Sequence, residues 1–265
     1  MSTPTKVLVR GGGDLASGIA RRLHLSGMFV AILESPYPTA IRRTVSFATA
    51  VHEGEVEVEG VMGRRCDACP ECPQAFIPVI VDETGATVRS WHPDVLVDAR
   101  MLKRPAGESN ISLARLVIGV GPGFQAGADC HAVIETQRGH DLGRVIWKGS
   151  AQEDTSIPEQ VCGYGAERVL RAPASGTFVP LVTIGEHVEY GALVAEVSGS
   201  KICASISGVV RGMLHPGTVV DAGRKVGDID PRDRREYCFT VSDKANAVAG
   251  GVMEAIFRHL KGRNS

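Results

Sequence analysis

The sequence predicts an α/β protein: a Rossmann-like domain into which an all-β, barrel-sandwich module is inserted. Three observations predict it. Residues 6–34 read as strand, glycine turn, helix and strand. From Ala172 the chain repeats itself at an offset of 32 residues without a gap. A last amphipathic stretch, Lys244 to Leu260, follows the repeat. A small β module has little need of such a helix, so it is expected to pack back on the first domain. The expected boundaries are 1–165 for the Rossmann-like, nucleotide- or cofactor-binding domain, 166–232 for the β module and 233–265 for the C-terminal segment.

The first element is the apolar run Lys6 to Arg10, followed at once by Gly11, Gly12 and Gly13. Leu15, Ile19 and Leu23 then recur at i, i+4 and i+8, one face of a helix that Gly27 can end. Phe29 to Leu33 is a second strand, finished by Glu34. Gly11, Gly13 and Ala16 carry the G-x-G-x-x-A spacing of a dinucleotide fingerprint. The glycines let a phosphate approach the backbone, and the helix N-terminus offers free N–H groups and partial positive charge. Glu34 sits where an acid can take ribose hydroxyls.

Two prolines close the next loop. Thr39 is a candidate N-cap, and Ile41, Val45 and Ala48 fit the face of a helix. Arg42 and Arg43 fall in its first turn, where they oppose the helix dipole. They make sense there if they meet an anion; the alternative is a solvated pair. Glu55 to Val61 alternates like a half-exposed strand. Ile77 to Val81, Asp94 to Arg100 and Leu116 to Val120 are further strands. Asp98 lies near the end of one, and the glycine loop Gly119, Gly121, Gly123 and Phe124 follows another. Ligands of open α/β sheets bind outside the carboxyl ends of strands, so Gly13, Asp98 and this loop are expected to share one crevice.

Cys130 to Thr136 alternates, so Asp129, His131 and Glu135 point one way. They suit a cation, acid–base work or plain hydrogen bonding. Arg138, His140 and Arg144 flank a glycine-containing turn and suit an anion or an ordinary polar loop. Cys66, Cys69 and Cys72 have metal-ligand spacing but lack an adjacent fourth cysteine. Asp67, Glu71, Cys130 or His131 would have to complete the set; redox or chalcogen carriage and incidental surface cysteines are the other readings.

In the repeat, Ala172, Ser175, Gly176, Gly185, Val188, Gly191 and Val194 match Ala204, Ser207, Gly208, Gly217, Val220, Gly223 and Val226. Matched turn glycines with valines between them describe two copies of one β-meander. The pattern resembles biotinyl and lipoyl domains. Lys201 lies near the link between halves, but without the usual flanking residues, so no biotin or lipoate is expected and the module reads as structural or docking. Pro231 to Arg235 is a polar linker, and Ser242 or Asp243 caps the last helix, with Val248, Val252, Ala255 and Ile256 on one side.

The chain has 265 residues, 43% of them hydrophobic, enough for a substantial core. A net charge of −1 argues against nucleic-acid or membrane-surface binding. Only 5% of residues are aromatic, which disfavours base stacking. No apolar run has the length of a membrane span, and the N-terminus has no signal-peptide pattern, so the expected location is the cytoplasm. Seven cysteines do not read as a disulfide framework. There is no nucleophile elbow and no P-loop.

The stretches VRGGGDLASGIARRLHLSGM, ESPYPTAIRRTVSFATAVHEGEVEVEGV and VIGVGPGFQAGADCHAVIETQRGHDLGRVIWKGSA, with SDKANAVAGGVMEAI near the end, carry a resemblance to the selenium-dependent molybdenum hydroxylase system proteins, accessory factors related to xanthine dehydrogenase maturation factors. The resemblance covers nearly the whole chain. It implies maturation or insertion of a molybdenum cofactor, molybdopterin or its dinucleotide, with the apo-hydroxylase and other maturation proteins as partners. It carries over Gly11, Gly12, Gly13, Asp14, Thr39, Arg42, Arg43, Gly119, Gly121, Gly123, His131, Glu135, Arg138, His140 and Arg144 as cofactor-binding positions. The cysteine triplet falls outside its motifs. An NAD(P)-dependent oxidoreductase and a non-catalytic Rossmann adaptor are the alternatives, and a homodimer is compatible with each.

Overall fold

β1 (Lys6–Arg10), α1 (Asp14–Leu25) and β2 (Phe29–Glu34) form a strand–helix–strand unit with β1 and β2 parallel and in register from Lys6 opposite Phe29 to Arg10 opposite Leu33. The computed structural model describes residues 4–102, 110–155 and 157–261. The chain divides into two units. The first comprises Met1–Pro38, Phe47–Asp154 and Val241–Ser265; the second comprises Thr39–Ser46 and Thr155–Thr240.

The first unit adds α2 (Ala50–Glu53), β3 (Glu55–Val58), β4 (Val61–Cys66), β5 (Ile77–Val81), α3 (Ala86–Trp91), β6 (Val95–Asp98), β7 (Leu116–Val120), β8 (Ala132–Ile134), β9 (Val145–Ile146) and α4 (Asp243–Lys261). Its nine strands form one sheet in the order β3-β4-β5-β2-β1-β6-β7-β8-β9. Strands β4 to β8 in that order run parallel, while β3 is antiparallel to β4 and β9 to β8. Central strands buried on both faces read as continuous apolar runs, and Val7, Leu8, Val9, Leu96, Val97, Val117 and Ile118 have no exposure. On α1, Gly18 has no side chain where Ala245 of α4 packs, and a Cβ there would lie 2.9 Å from that of Ala245.

The second unit contains β10 (Val169–Arg171), β11 (Gly176–Pro180), β12 (His187–Val188), β13 (Leu193–Val197), β14 (Ser200–Cys203), β15 (Gly208–Met213), β16 (Val219–Val220) and β17 (Lys225–Asp230). They make two four-stranded antiparallel sheets, β10-β17-β15-β12 and β14-β13-β11-β16. Phe178, Val194, Val197, Val210, Met213, Val226 and Ile229 form their core. Glycines 32 positions apart adopt matching backbones: Gly176 and Gly208 at φ 147° and 151°, Gly191 and Gly223 at 82° and 80°.

The expected fold class, a Rossmann-like domain with an inserted barrel-sandwich module, is corrected by this topology. The architecture is mixed α/β, with one large mixed sheet and two smaller antiparallel ones. A Rossmann domain needs repeated crossover helices. Among the described residues only α1, of twelve residues, is a full-length one between strands. The helix expected from Thr39 gives way to 3-10 turns at Arg43–Val45 and Phe47–Thr49. There the hydroxyls of Thr44 and Ser46 donate to Cys238 O and Arg42 O, the local competition that disfavours helix at such residues. Glu55 to Val61 is not one strand but a hairpin, turned at Glu59 and Gly60 with φ 43° and 81°, and this closes the sheet edge with an antiparallel pair. Among the described residues no helix is long and apolar enough to cross a membrane.

Candidate functional site

The carboxyl ends of parallel strands β1, β2, β6 and β7 lie along one edge of the large sheet, at Arg10, Glu34, Asp98 and Val120. Arg10 stands opposite Asp98 in the β1–β6 register. Asp98 is fully buried and receives Arg100 through two hydrogen bonds, Nε at 2.9 Å and Nη2 at 2.7 Å; Arg10 Nη1 lies 3.7 Å away. Two cations therefore converge on one buried carboxylate. Neither arginine stood out in the sequence, although each sits next to a strand end, which is where such a pair is to be sought.

The three glycines of the first loop differ. Gly11 has φ +93°, and a Cβ there would lie 3.2 Å from Ala99 O. At Gly12 it would come 2.8 Å from the nitrogen of Ala48, whose N–H donates to Gly12 O at 2.8 Å. Ser17 ties the same place together, its hydroxyl donating to Gly12 O and accepting from Phe47 N–H. Gly11 and Gly12 are thus explained by the packing of the chain on itself. Gly13 is not. Its φ of −65° suits any residue, and none of the described residues lies within 4 Å of where its Cβ would be. It is the N-cap of α1 and provides no capping side chain, so the first turn keeps N–H groups that a Ser or Asp would otherwise satisfy. Asp14 Oδ1 accepts from Leu15 N–H at 3.0 Å.

Glu34 does not project away from the loop. Its carboxylate accepts from Gly12 N–H and Ser35 N–H, both at 2.7 Å. The second glycine loop is likewise closed on itself. A Cβ on Gly119 would strike the Phe124 ring, and one on Gly121 would meet Thr136 Oγ1 at 2.9 Å. Gly121 and Gly123 take φ +83° and +94° to make the turn.

The other candidates are dispersed. Glu135 is buried, its two oxygens filled by the N–H groups of Thr136, Gln137 and Gln152 at 2.7–2.8 Å. His131 accepts from Val117 N–H through Nδ1 at 2.9 Å; burial first, then nearby His259, holds its pKa below the usual histidine value. Arg138 makes a two-pronged pair with Asp243, Arg144 pairs with Asp141, and His140 is exposed. Thr39, Arg42 and Arg43 belong to the second unit. There Arg42 donates to Tyr237 O and Thr240 O, Arg43 to Met213 O, and Thr39 accepts from Arg224.

The cysteine triplet is not gathered as a ligand set. Cys66 Sγ donates to Arg64 O, Cys72 Sγ accepts from Gln74, and Cys69 packs against the apolar cluster under the sheet. Burial pushes the Cys69 thiol up to about 12 and raises that of Cys66, the reverse of what thiolate ligation or reactivity needs. Among the described residues no group of three His, Cys, Asp or Glu could hold a metal ion.

No family model matches the chain. It is 45% identical over 254 residues to the uncharacterized protein YqeB of Escherichia coli (strain K12), an alignment covering 94% of this chain and 47% of that one. The chain thus spans about half the length of the curated relative it matches. Solved structures similar to it include an aspartoacylase family protein from Mesorhizobium loti, at 9% identity and TM-score 0.28 over 86% of this chain and 85% of that one. A succinylglutamate desuccinylase from a Silicibacter species follows at 14% identity and TM-score 0.26 over 86% and 85%. At these scores neither fold nor activity transfers.

These findings correct the expected kinship. The curated relative is itself an uncharacterized protein, and it supplies no kinship with selenium-dependent molybdenum hydroxylase accessory factors. The molybdenum-cofactor role, the NAD(P) oxidoreductase alternative and the Rossmann-adaptor alternative fall with that kinship and with the sheet topology. The geometry agrees: Glu34, expected on ribose hydroxyls, holds the glycine loop itself, and the second glycine loop is filled by Phe124.

Proposed function

We propose that the first unit binds a small anionic metabolite at the start of α1, above the carboxyl ends of β1, β2 and β6. The observation that supports this reading is Gly13. Its neighbours in the loop are glycine because the chain packs against them; Gly13, at a helix start without a capping side chain, meets none of the described residues. The partial positive charge of a helix start favours an anionic group at that point. Glu34 and Asp14, already engaged within the loop, leave negative charge beside it, so a ligand carrying hydroxyl or amino donors as well as an anionic group matches the surroundings better than a bare ion. We also assign the chain to the cytoplasm, a reducing compartment that suits its cysteines, all of them free.

The test is Gly13→Leu. The backbone there accepts a side chain without strain, and the leucine would fill the open space. Thermal-shift screening of hydroxy acids and amino acids should find compounds that stabilise the parent and leave the variant unchanged, while the two proteins unfold at similar temperatures in plain buffer. Compounds that stabilise both alike would put the site elsewhere.

A further inference from the structure

The second unit holds a group of arginines that its own carboxylates do not balance. Asp228 and Asp230 alternate with Ile229 on β17 and so share the strand face opposite the apolar core, to which Ile229 belongs. Both are nearly inaccessible, at 5% and 1% exposure. What covers them is cationic. Arg168 Nη1 lies 3.5 Å from Asp228. Arg211 projects from an irregularity in the β15–β17 register between Val210 and Gly212, and its Nη1 lies 3.6 Å from Asp230. Arg232 grips Asp230 with Nε at 2.9 Å and Nη2 at 2.6 Å while stacking over Tyr237. Arg42 is close enough to Arg211 that the two repel; burial first, and then this repulsion, lowers the Arg211 pKa.

Four cations thus meet two carboxylates, Arg168 and Lys225 (Nζ at 3.3 Å) at Asp228 and Arg211 and Arg232 at Asp230. The Arg168 side chain is only 8% exposed, yet neither its Nε nor its Nη1 has a hydrogen-bond acceptor among the described residues, and the same holds for Arg211 Nε. A buried guanidinium donor without an acceptor is costly, and adjacent like charges in a poorly solvated place add to that cost. Planar guanidinium forks match the oxygens of an oxyanion.

We propose that this cluster is a binding site for a doubly charged oxyanion, inorganic phosphate or the phosphoryl group of a small molecule, held by Arg168 and Arg211 and approached past the more exposed Arg232. A dianion offsets the two unmatched positive charges, whereas a single carboxylate leaves one. The site lies wholly within the second unit and does not depend on the reading of Gly13.

The experiment uses the full chain, titrated with sodium phosphate against sodium chloride at matched ionic strength. Phosphate should raise the Tm by about 2–4 °C or more over the chloride control, with one phosphate bound per chain by calorimetry. Arg211→Met should abolish the shift. In chloride it should be at least as stable as the parent, because it removes a like charge from beside Arg42; a purely structural arginine would instead leave a less stable protein. Should Arg211→Met not fold, Arg232→Met at the edge of the cluster should weaken phosphate binding about tenfold, and Arg171→Met, the same change of charge at an exposed position, should keep the full shift. Glycerol phosphate as a second probe separates the sources: competition identifies a phosphate monoester, and lack of it identifies the free ion. No phosphate-specific shift in the parent, or an equal shift in Arg211→Met, overturns the proposal.

Discussion

His131 accepts the Val117 N–H through Nδ1, a bond that only the neutral imidazole makes. Its folded pKa lies below the ordinary 6.5, as does that of His24, through burial. For a histidine shifted down, the contribution to stability is complete above the unfolded value and is lost as pH falls from about 6.5 through the folded value. Exposed His187 works in the other window. Hydrogen bonds that its ring donates to Asp233 and Glu189 raise its pKa, so its contribution is complete below about 6.5 and fades as pH rises through the folded value. Stability should therefore be greatest near pH 6.5. Urea midpoints between pH 5 and 8 would trace this, and His131→Gln, which keeps an acceptor but cannot titrate, should flatten the acid side without abolishing it, since His24 remains. An unchanged acid slope would remove His131 from the account. Asp82 does not interfere: hydrogen bonds from Thr87, Thr84 and Gly85 outweigh its burial and hold it at about 2.

At the scale of elements, α4 depends on two close approaches. Gly18 of α1 admits Ala245, and Gly251 of α4 lies against Gly143, where a Cβ would collide with the Gly143 carbonyl oxygen. Glycine to alanine inside a helix ordinarily stabilises by about 1 kcal/mol. Here the collision is with backbone, which cannot swing away, so Gly251→Ala should instead destabilise by about 1–3 kcal/mol. The check is a lower urea midpoint at unchanged m. The same scale separates what could be read from the sequence from what could not. β1, β5 and β7 coincide with runs whose periodicity and flanking turns name them, and α4 differs from its expected span by one residue at each end. These signals are local. The Glu59–Gly60 hairpin turn, the 3-10 turns after Thr39 and the mixed sheet depend on which distant carbonyl a hydroxyl finds and on which edge a strand joins. For the candidate site, the glycine loop was visible but its division of labour was not. That a side chain at residue 12 would strike Ala48 while one at residue 13 would meet none of the described residues follows only from the fold.

At the scale of the whole molecule, the second unit is assembled from two distant stretches of chain. Residues 39–46 enter it as a strap: Arg42, Arg43 and Thr44 donate to the carbonyls of Tyr237, Thr240, Met213 and Cys238. Gly212 lacks the side chain that would press on Ile41 O at 2.7 Å. A fragment of residues 155–240 should therefore be less stable than the same fragment joined to residues 39–46 by a flexible Gly/Ser linker, with a Tm gain of about 4–8 °C for each kcal/mol recovered. Equal melting temperatures would mean that the strap contributes nothing. The strap also imposes an order on biosynthesis. It leaves the ribosome long before Thr240, a wait of about 10–40 s at ~5–20 residues/s, with Val45, buried in the finished protein, still without its partners. The first unit must wait longer, for the helix that ends at Lys261. Neither unit can close before its own last segment, at Thr240 or Lys261, has been made, so the strands made first have to be shielded from one another's company until then.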